Sequence, residues 1–129
     1  MQTFNSRIKI RSELEDVYAA LTNPFTIELW TGYKAIMSET PGDLFELWEG
    51  DICGHNIAII PNEKIVQEWY FGETDTPSIV TIKLFKQRNY IQMDVEHTNI
   101  PDEAFNEICD GWKNNYLADL KEFMEIEDN

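Results

Sequence analysis

Cations are scarce in this sequence: ten lysines and arginines stand against 24 aspartates and glutamates, for a net charge of −14 and a pI near 4.3. Such a surface repels a phosphate backbone, which excludes nucleic acid as a partner. It repels anionic lipid for the same reason. Histidine and cysteine are scarcer still, with two of each. His55, His97, Cys53 and Cys109 lack ligand spacing, so no metal is expected. With no CxxC pair, the two cysteines read as reduced thiols of a cytoplasmic protein, the alternative being one long-range disulfide. No apolar run approaches the length of a membrane span. The first eleven residues alternate polar and apolar without the hydrophobic block of a secretory signal. Nucleophile elbows, catalytic-cysteine signatures and phosphate-binding loops are also absent, and no cofactor is implied.

What remains is rich in core-forming residues. The chain is 43% hydrophobic and 12% aromatic, with four Trp, five Tyr and seven Phe among 129 residues. That suits one globular domain over 1–129. Phe4, Ser6, Ile8 and Ile10 alternate with polar neighbours, as in a half-buried strand. Ser12-Glu13-Leu14-Glu15 has the form of a capping box, with Ser12 as N-cap, ahead of Leu14, Val17, Tyr18 and Leu21 at helical spacing. Asn23-Pro24 stops that helix and starts a shorter one over 25–30, which Gly32 ends.

Turn signals then delimit strands at 33–39, 43–48, 51–60, 64–71, 78–86 and 90–97. The fourth of these leads into a loop at 72–77. Phe105, Ile108, Cys109, Trp112, Tyr116, Leu120 and Phe123 recur at helical spacing and predict a helix over 102–124. At 1.5 Å per residue it reaches roughly 34 Å, enough to cross a whole sheet. The tail 125–129 is expected to fray. The order β-α-α-β6-α defines an α+β, helix-grip fold: a curved antiparallel sheet of about seven strands wrapped around a long C-terminal helix.

Strand parity sorts the candidate site residues. Phe45 and Leu47 share one face. Ile65, Gln67, Trp69 and Phe71 share another, where Gln67 either looks at solvent or needs a buried partner. His97 points inward with Ile91, Met93 and Val95, either as a hydrogen-bonded rim histidine or as a ligand contact or base. His55 has the parity of Ile57 and Ile59, and the same alternatives apply. Trp112 and Tyr116 project together from the helix, as core or as a pocket wall. Gly111 beside them suits close approach or a slight bend.

The run Gly42-Asp43-Leu44-Phe45-Glu46-Leu47-Trp48-Glu49-Gly50-Asp51-Ile52-Cys53-Gly54 is followed by Ile59-Ile60-Pro61 and Ile65-Val66-Gln67-Glu68-Trp69. His97-Thr98, Gly111-Trp112, Leu117 and Leu120 complete a set that runs through nearly the whole chain. In this the sequence resembles homologues of the activator of heat-shock protein 90 ATPase, within the START-like (SRPBCC) superfamily. The resemblance implies a cavity between sheet and helix. It also implies functions that vary among relatives, which include binders of lipids, hormones or polyketides, enzymes and chaperone partners.

The reading taken forward is a non-catalytic binding module with an internal cavity for a small, mostly hydrophobic ligand. Phe45, Leu47, Gln67, Trp69, Phe71, Met93, His97, Trp112 and Tyr116 are its lining candidates, with Trp69 and Trp112 on opposing walls of a void. The alternatives are a protein-interaction module with a chaperone as partner, and an enzyme acting on a cyclic hydrophobic substrate.

Overall fold

In the computed structural model, which describes residues 1–72 and 75–126, strand β1 (Gln2–Ile10) is followed by helices α1 (Leu14–Thr22) and α2 (Pro24–Thr31). Strands β2 (Leu44–Leu47), β3 (Ile52–Ile60), β4 (Lys64–Trp69), β5 (Ser78–Lys86) and β6 (Ile91–Ile100) come next. Residues 73 and 74 of the expected loop, and 127–129 of the expected frayed tail, lie outside the described residues. The strands form one antiparallel sheet in the order β1-β6-β5-β4-β3-β2. Short turns make the last five a meander, while the two helices carry the chain from one edge of the sheet to the other.

Six strands stand among the described residues where about seven were expected. The segment 33–39 makes a single bridge, Ile36 to Glu46, and then leaves the ladder. Side chains there take over the role of a strand partner. The Asn56 amide donates to the Ser38 carbonyl at 3.0 Å, and Ser38 Oγ donates to Asp43 at 2.8 Å. Met37 turns inward instead of continuing the pleat, and it is buried.

The helices start and stop for local reasons. Asn23 caps α2, its Oδ1 accepting from the N–H of Phe25 at 2.9 Å and of Thr26 at 3.3 Å, with Pro24 at the first helical position. Gly32 ends α2 in the left-handed region at φ 83°. The expected capping box at Ser12 does not form. The Ser12 N–H bonds back to Ile10 in a tight turn, so Glu13 precedes the helix and no side chain caps it.

The C-terminal helix lies where expected but is not uniform. A 3-10 turn (Asp102–Ala104) leads to α3 (Phe105–Gly111), a π-helical turn (Trp112–Tyr116) and α4 (Leu117–Glu125). In the π-turn the Leu117 N–H reaches back five residues to the Trp112 carbonyl. Trp112, Tyr116, Leu117 and Leu120 are buried against the sheet and the short helices, whereas no residue of α3 is fully buried. The helix therefore grips tightly from the π-turn onward and lies more loosely before it.

Candidate functional site

Three of the four tryptophans are tied into the interior by their indole N–H groups. Trp30 Nε1 donates to the Ala20 carbonyl at 2.8 Å. Trp69 Nε1 donates to Gln67 Oε1 at 3.0 Å, and Gln67 Nε2 donates onward to Asn56 Oδ1 at 3.1 Å. An indole can only donate, so this chain of bonds sets the orientation of the buried Gln67 amide. Gln67 is thus inward and partnered, which resolves the two alternatives for it.

Trp112 Nε1 donates to His97 Nδ1 at 3.0 Å. The imidazole proton is therefore on Nε2, which lies 2.8 Å from Ser78 Oγ, and Ser78 in turn reaches the Thr98 carbonyl at 3.2 Å. His97 is wholly buried, and that burial pulls its pKa down to about 4, so it is a neutral structural group. Both ring nitrogens are used within the protein, which leaves no lone pair for proton transfer to a ligand.

His55 does not follow it inward. A bulge between Asn56 and Ala58 inverts the parity of β3, so Gly54, Asn56 and Ile59 face the core opposite Trp69, Gln67 and Ile65. His55 stands on the outer face, with Nδ1 2.7 Å from the Tyr70 hydroxyl.

Trp69 and Trp112 do meet across the sheet–helix boundary, but no void separates them. Their rings stack at 4.9 Å and 17°. Phe4 stacks on Trp112 at 6.1 Å, and Tyr116 lies 4.5 Å from it. Phe45, Leu47 and Met93 are solid core, and Phe71 packs beside His97 at 5.9 Å. Flat rings of similar size close on one another more favourably than on empty space, which removes the expected internal gap.

The open space lies beside this stack. A cleft of about 630 Å3 runs between the β2–β3 turn and the loosely held α3, and it opens to solvent. Trp48, Trp69, Trp112 and Tyr116 supply aromatic surface; Ile52 and Ile108 add aliphatic surface. Asp51, Glu107, Asp110, Asn114 and Asn115 supply the polar part. Of the expected lining residues, Trp69, Trp112 and Tyr116 reach this cleft; Phe45, Leu47, Gln67, Phe71, Met93 and His97 do not.

Trp48 was missed by sequence reasoning, because it belongs to a turn and follows no period. The turn is strained: Trp48, Glu49 and Gly50 have φ of 50°, 56° and 96° in succession. That backbone directs the Trp48 ring onto Trp30 at 5.6 Å and Tyr116 at 5.9 Å. Gly111 is not there for close approach, since a Cβ at that position would meet nothing within 4 Å. It leaves the cleft floor open.

Tyr116 is the polar feature of the floor. The residue is 4% exposed, and its hydroxyl, which bonds to none of the described residues, is reached by solvent. Burial raises its pKa well above the usual phenol value, so it remains a neutral donor and acceptor.

The described residues hold no group of three or more His, Cys, Asp or Glu that could bind a metal, and no helix among them is long and apolar enough to cross a membrane. Cys53 and Cys109 are free thiols.

An antiparallel sheet curved around a C-terminal helix, with two short helices joining its edge strands, defines a START-like helix-grip protein. Residues 11–125 match the family described as Activator of Hsp90 ATPase homolog 1-like protein, and the chain belongs to that family. It is 27% identical over 121 residues to an activator of 90 kDa heat shock protein ATPase homolog from Dictyostelium discoideum, covering 88% of this chain and 32% of that one. The chain thus spans about a third of the length of the curated relatives it matches. An HSP90 activator from Plasmodium falciparum has the same fold, with a TM-score of 0.86 at 23% identity over 98% of this chain and 96% of that one. The Aha1 dimer from Colwellia psychrerythraea superposes with a TM-score of 0.84 at 20% identity over the full length of both chains.

Proposed function

We propose that the protein is a cytoplasmic, non-catalytic binding module whose site is the aromatic cleft between the β2–β3 turn and the π-turn. Its ligand is small and mostly apolar, and it carries one polar group. The observation that carries this reading is the cleft itself, an open space of about 630 Å3 bounded by Trp48, Ile52 and Ile108 and reached by the Tyr116 hydroxyl. A polar atom of the ligand would take the place of solvent at this hydroxyl. The cleft volume lies within the range of small-molecule sites. Titration of tryptophan fluorescence with a panel of small apolar compounds tests the reading. Binding should weaken about fivefold in Tyr116→Phe, the loss of one hydrogen bond. A panel that leaves the fluorescence of the folded protein unchanged overturns it.

A second reading, a protein-interaction module with a chaperone of the heat-shock protein 90 class as partner, is favoured by the family and by α2. Phe25 and Leu29 stand one turn apart there and are 77% and 71% exposed. Phe25→Ser/Leu29→Ser should then abolish capture of the purified chaperone while leaving the fold intact.

A further inference from the structure

The cleft is polar in one sense only. Its charged lining residues are Asp51, Glu107 and Asp110, all exposed, and no lysine or arginine lines it among the described residues. Lys113, on the same helix, acts on Cys109 and does not reach the lining. Beneath this anionic rim lies the half-exposed ring of Trp48, with the buried Trp69, Trp112 and Tyr116 behind it. Indole and phenol faces carry negative quadrupole potential and attract cations within about 6 Å of the ring centre. Rim and floor therefore favour the same sign of charge. The solvent-reached Tyr116 hydroxyl adds one neutral polar group, able to accept or donate. A carboxylate or phosphate ligand would meet repulsion at the three carboxylates and at the face of the Trp48 ring.

We infer that the cleft selects an organic cation, an amine or quaternary ammonium on an apolar body, over neutral or anionic molecules of the same shape. This rests on the binding-module reading, and it specifies the charge of the ligand. The ammonium lies over the Trp48 ring beside the Asp51 and Asp110 carboxylates, and the apolar body covers Ile52 and Ile108. A weakly hydrated quaternary or alkylated ammonium suits the site better than a compact, strongly hydrated ion, because the floor offers faces and one hydroxyl rather than a full set of acceptors.

The test compares benzyltrimethylammonium, its neutral isostere neopentylbenzene, and 4-tert-butylbenzoate as an anion of similar size. Affinities are read from indole N–H chemical shifts of the full chain. The cation should bind at least tenfold more tightly than the neutral probe, and the anion not at all. The preference should fall in 0.5 M salt, because the rim charges are exposed. Asp51→Asn/Asp110→Asn should reduce cation affinity about fivefold and leave the neutral probe unchanged. Glu96→Gln, on the outer face of the sheet, controls for the general negative charge and should change neither. Equal or tighter binding of the neutral probe overturns the charge preference and leaves the binding module standing. A Glu96→Gln loss equal to that of the rim variant also overturns it, by assigning the effect to overall charge. Failure of both cation and neutral probe to shift any indole resonance overturns the inference together with the reading beneath it.

Discussion

The indole of Trp112 donates to Nδ1 of His97 over 3.0 Å and so ties the π-turn of the C-terminal helix to the middle of β6. The bond requires a neutral imidazole, since a protonated ring would present an N–H to the indole N–H. Helix docking and the protonation state of one histidine are therefore coupled.

This coupling predicts acid sensitivity with a defined sign. His97 has a folded-state pKa near 4, below the 6.5 of an exposed histidine. The unfolded chain thus takes up a proton first as pH falls. The stability that neutral His97 permits is complete above pH 6.5 and declines between 6.5 and 4. The loss amounts to about 2 kcal/mol by pH 5. Urea midpoints at pH 7.5, 6 and 5 measure it, and His97→Asn should flatten the slope between them. An equal slope in both proteins would remove His97 as the cause.

Trp112→Phe keeps much of the ring stacking with Trp69 and Tyr116 but removes the indole donor to His97 Nδ1. An unsatisfied buried acceptor costs about 1–3 kcal/mol. The variant should fold, melt at a lower temperature and lose part of the acid sensitivity, because its imidazole is protonated more easily. Trp112→Ala, which opens a cavity as well, should cost about 3–5 kcal/mol. Chemical denaturation of the two variants separates the hydrogen bond from the packing.

Two glycines should respond to alanine in opposite directions. At Gly54 a Cβ would lie 1.8 Å from the Glu68 carbonyl oxygen and 3.1 Å from the Phe45 ring, where β3 is paired between β2 and β4. Gly54→Ala should destabilise the sheet by about 3 kcal/mol. At Gly111 the backbone is helical, with φ −61°, and the space is open. Gly111→Ala should stabilise the helix by about 0.5–1 kcal/mol and narrow the cleft, which lowers ligand affinity. Thermal melts rank the pair; a stabilised Gly54→Ala would contradict the packing described.

The contrast between those glycines marks what the sequence carried. Alternation at Phe4–Ile10, the turn dipeptides and the helical spacing of Trp112, Tyr116 and Leu120 are local patterns, and they place five strands of the meander, β1 and the gripping helix. The inward parity of Met93 and His97 was legible for the same reason, as was the face Gln67 shares with Trp69, whereas the sequence leaves open which way Gln67 looks. Parity failed at His55, because one inserted residue in β3 inverts it and no residue type announces a bulge. The segment 33–39 has strand-like composition, yet its side-chain bonds to Asn56 and Asp43 depend on partners distant in sequence. The cleft was hidden for a related reason. It needs the stacking of Trp69 on Trp112 to close the interior, the π-turn to set Tyr116, and a strained turn to bring in Trp48.

That turn supports a last prediction. Trp48 and Glu49 both occupy the left-handed region, which costs an ordinary side chain about 1 kcal/mol or more each. The two residues differ in what the strain serves: Trp48 lines the cleft and touches Trp30 and Tyr116, whereas Glu49 does not line it. Glu49→Gly should relieve strain without altering the site, raising stability by about 0.5–1 kcal/mol at unchanged ligand affinity. Trp48→Gly relieves the same kind of strain but removes an aromatic wall. Its stability should change little, as lost packing offsets relieved strain, while affinity for any aromatic-cleft ligand falls at least tenfold. Thermal melts and probe titrations on both variants test the division. If Glu49→Gly weakens binding as much as Trp48→Gly does, the turn acts through its conformation and not through the ring it presents.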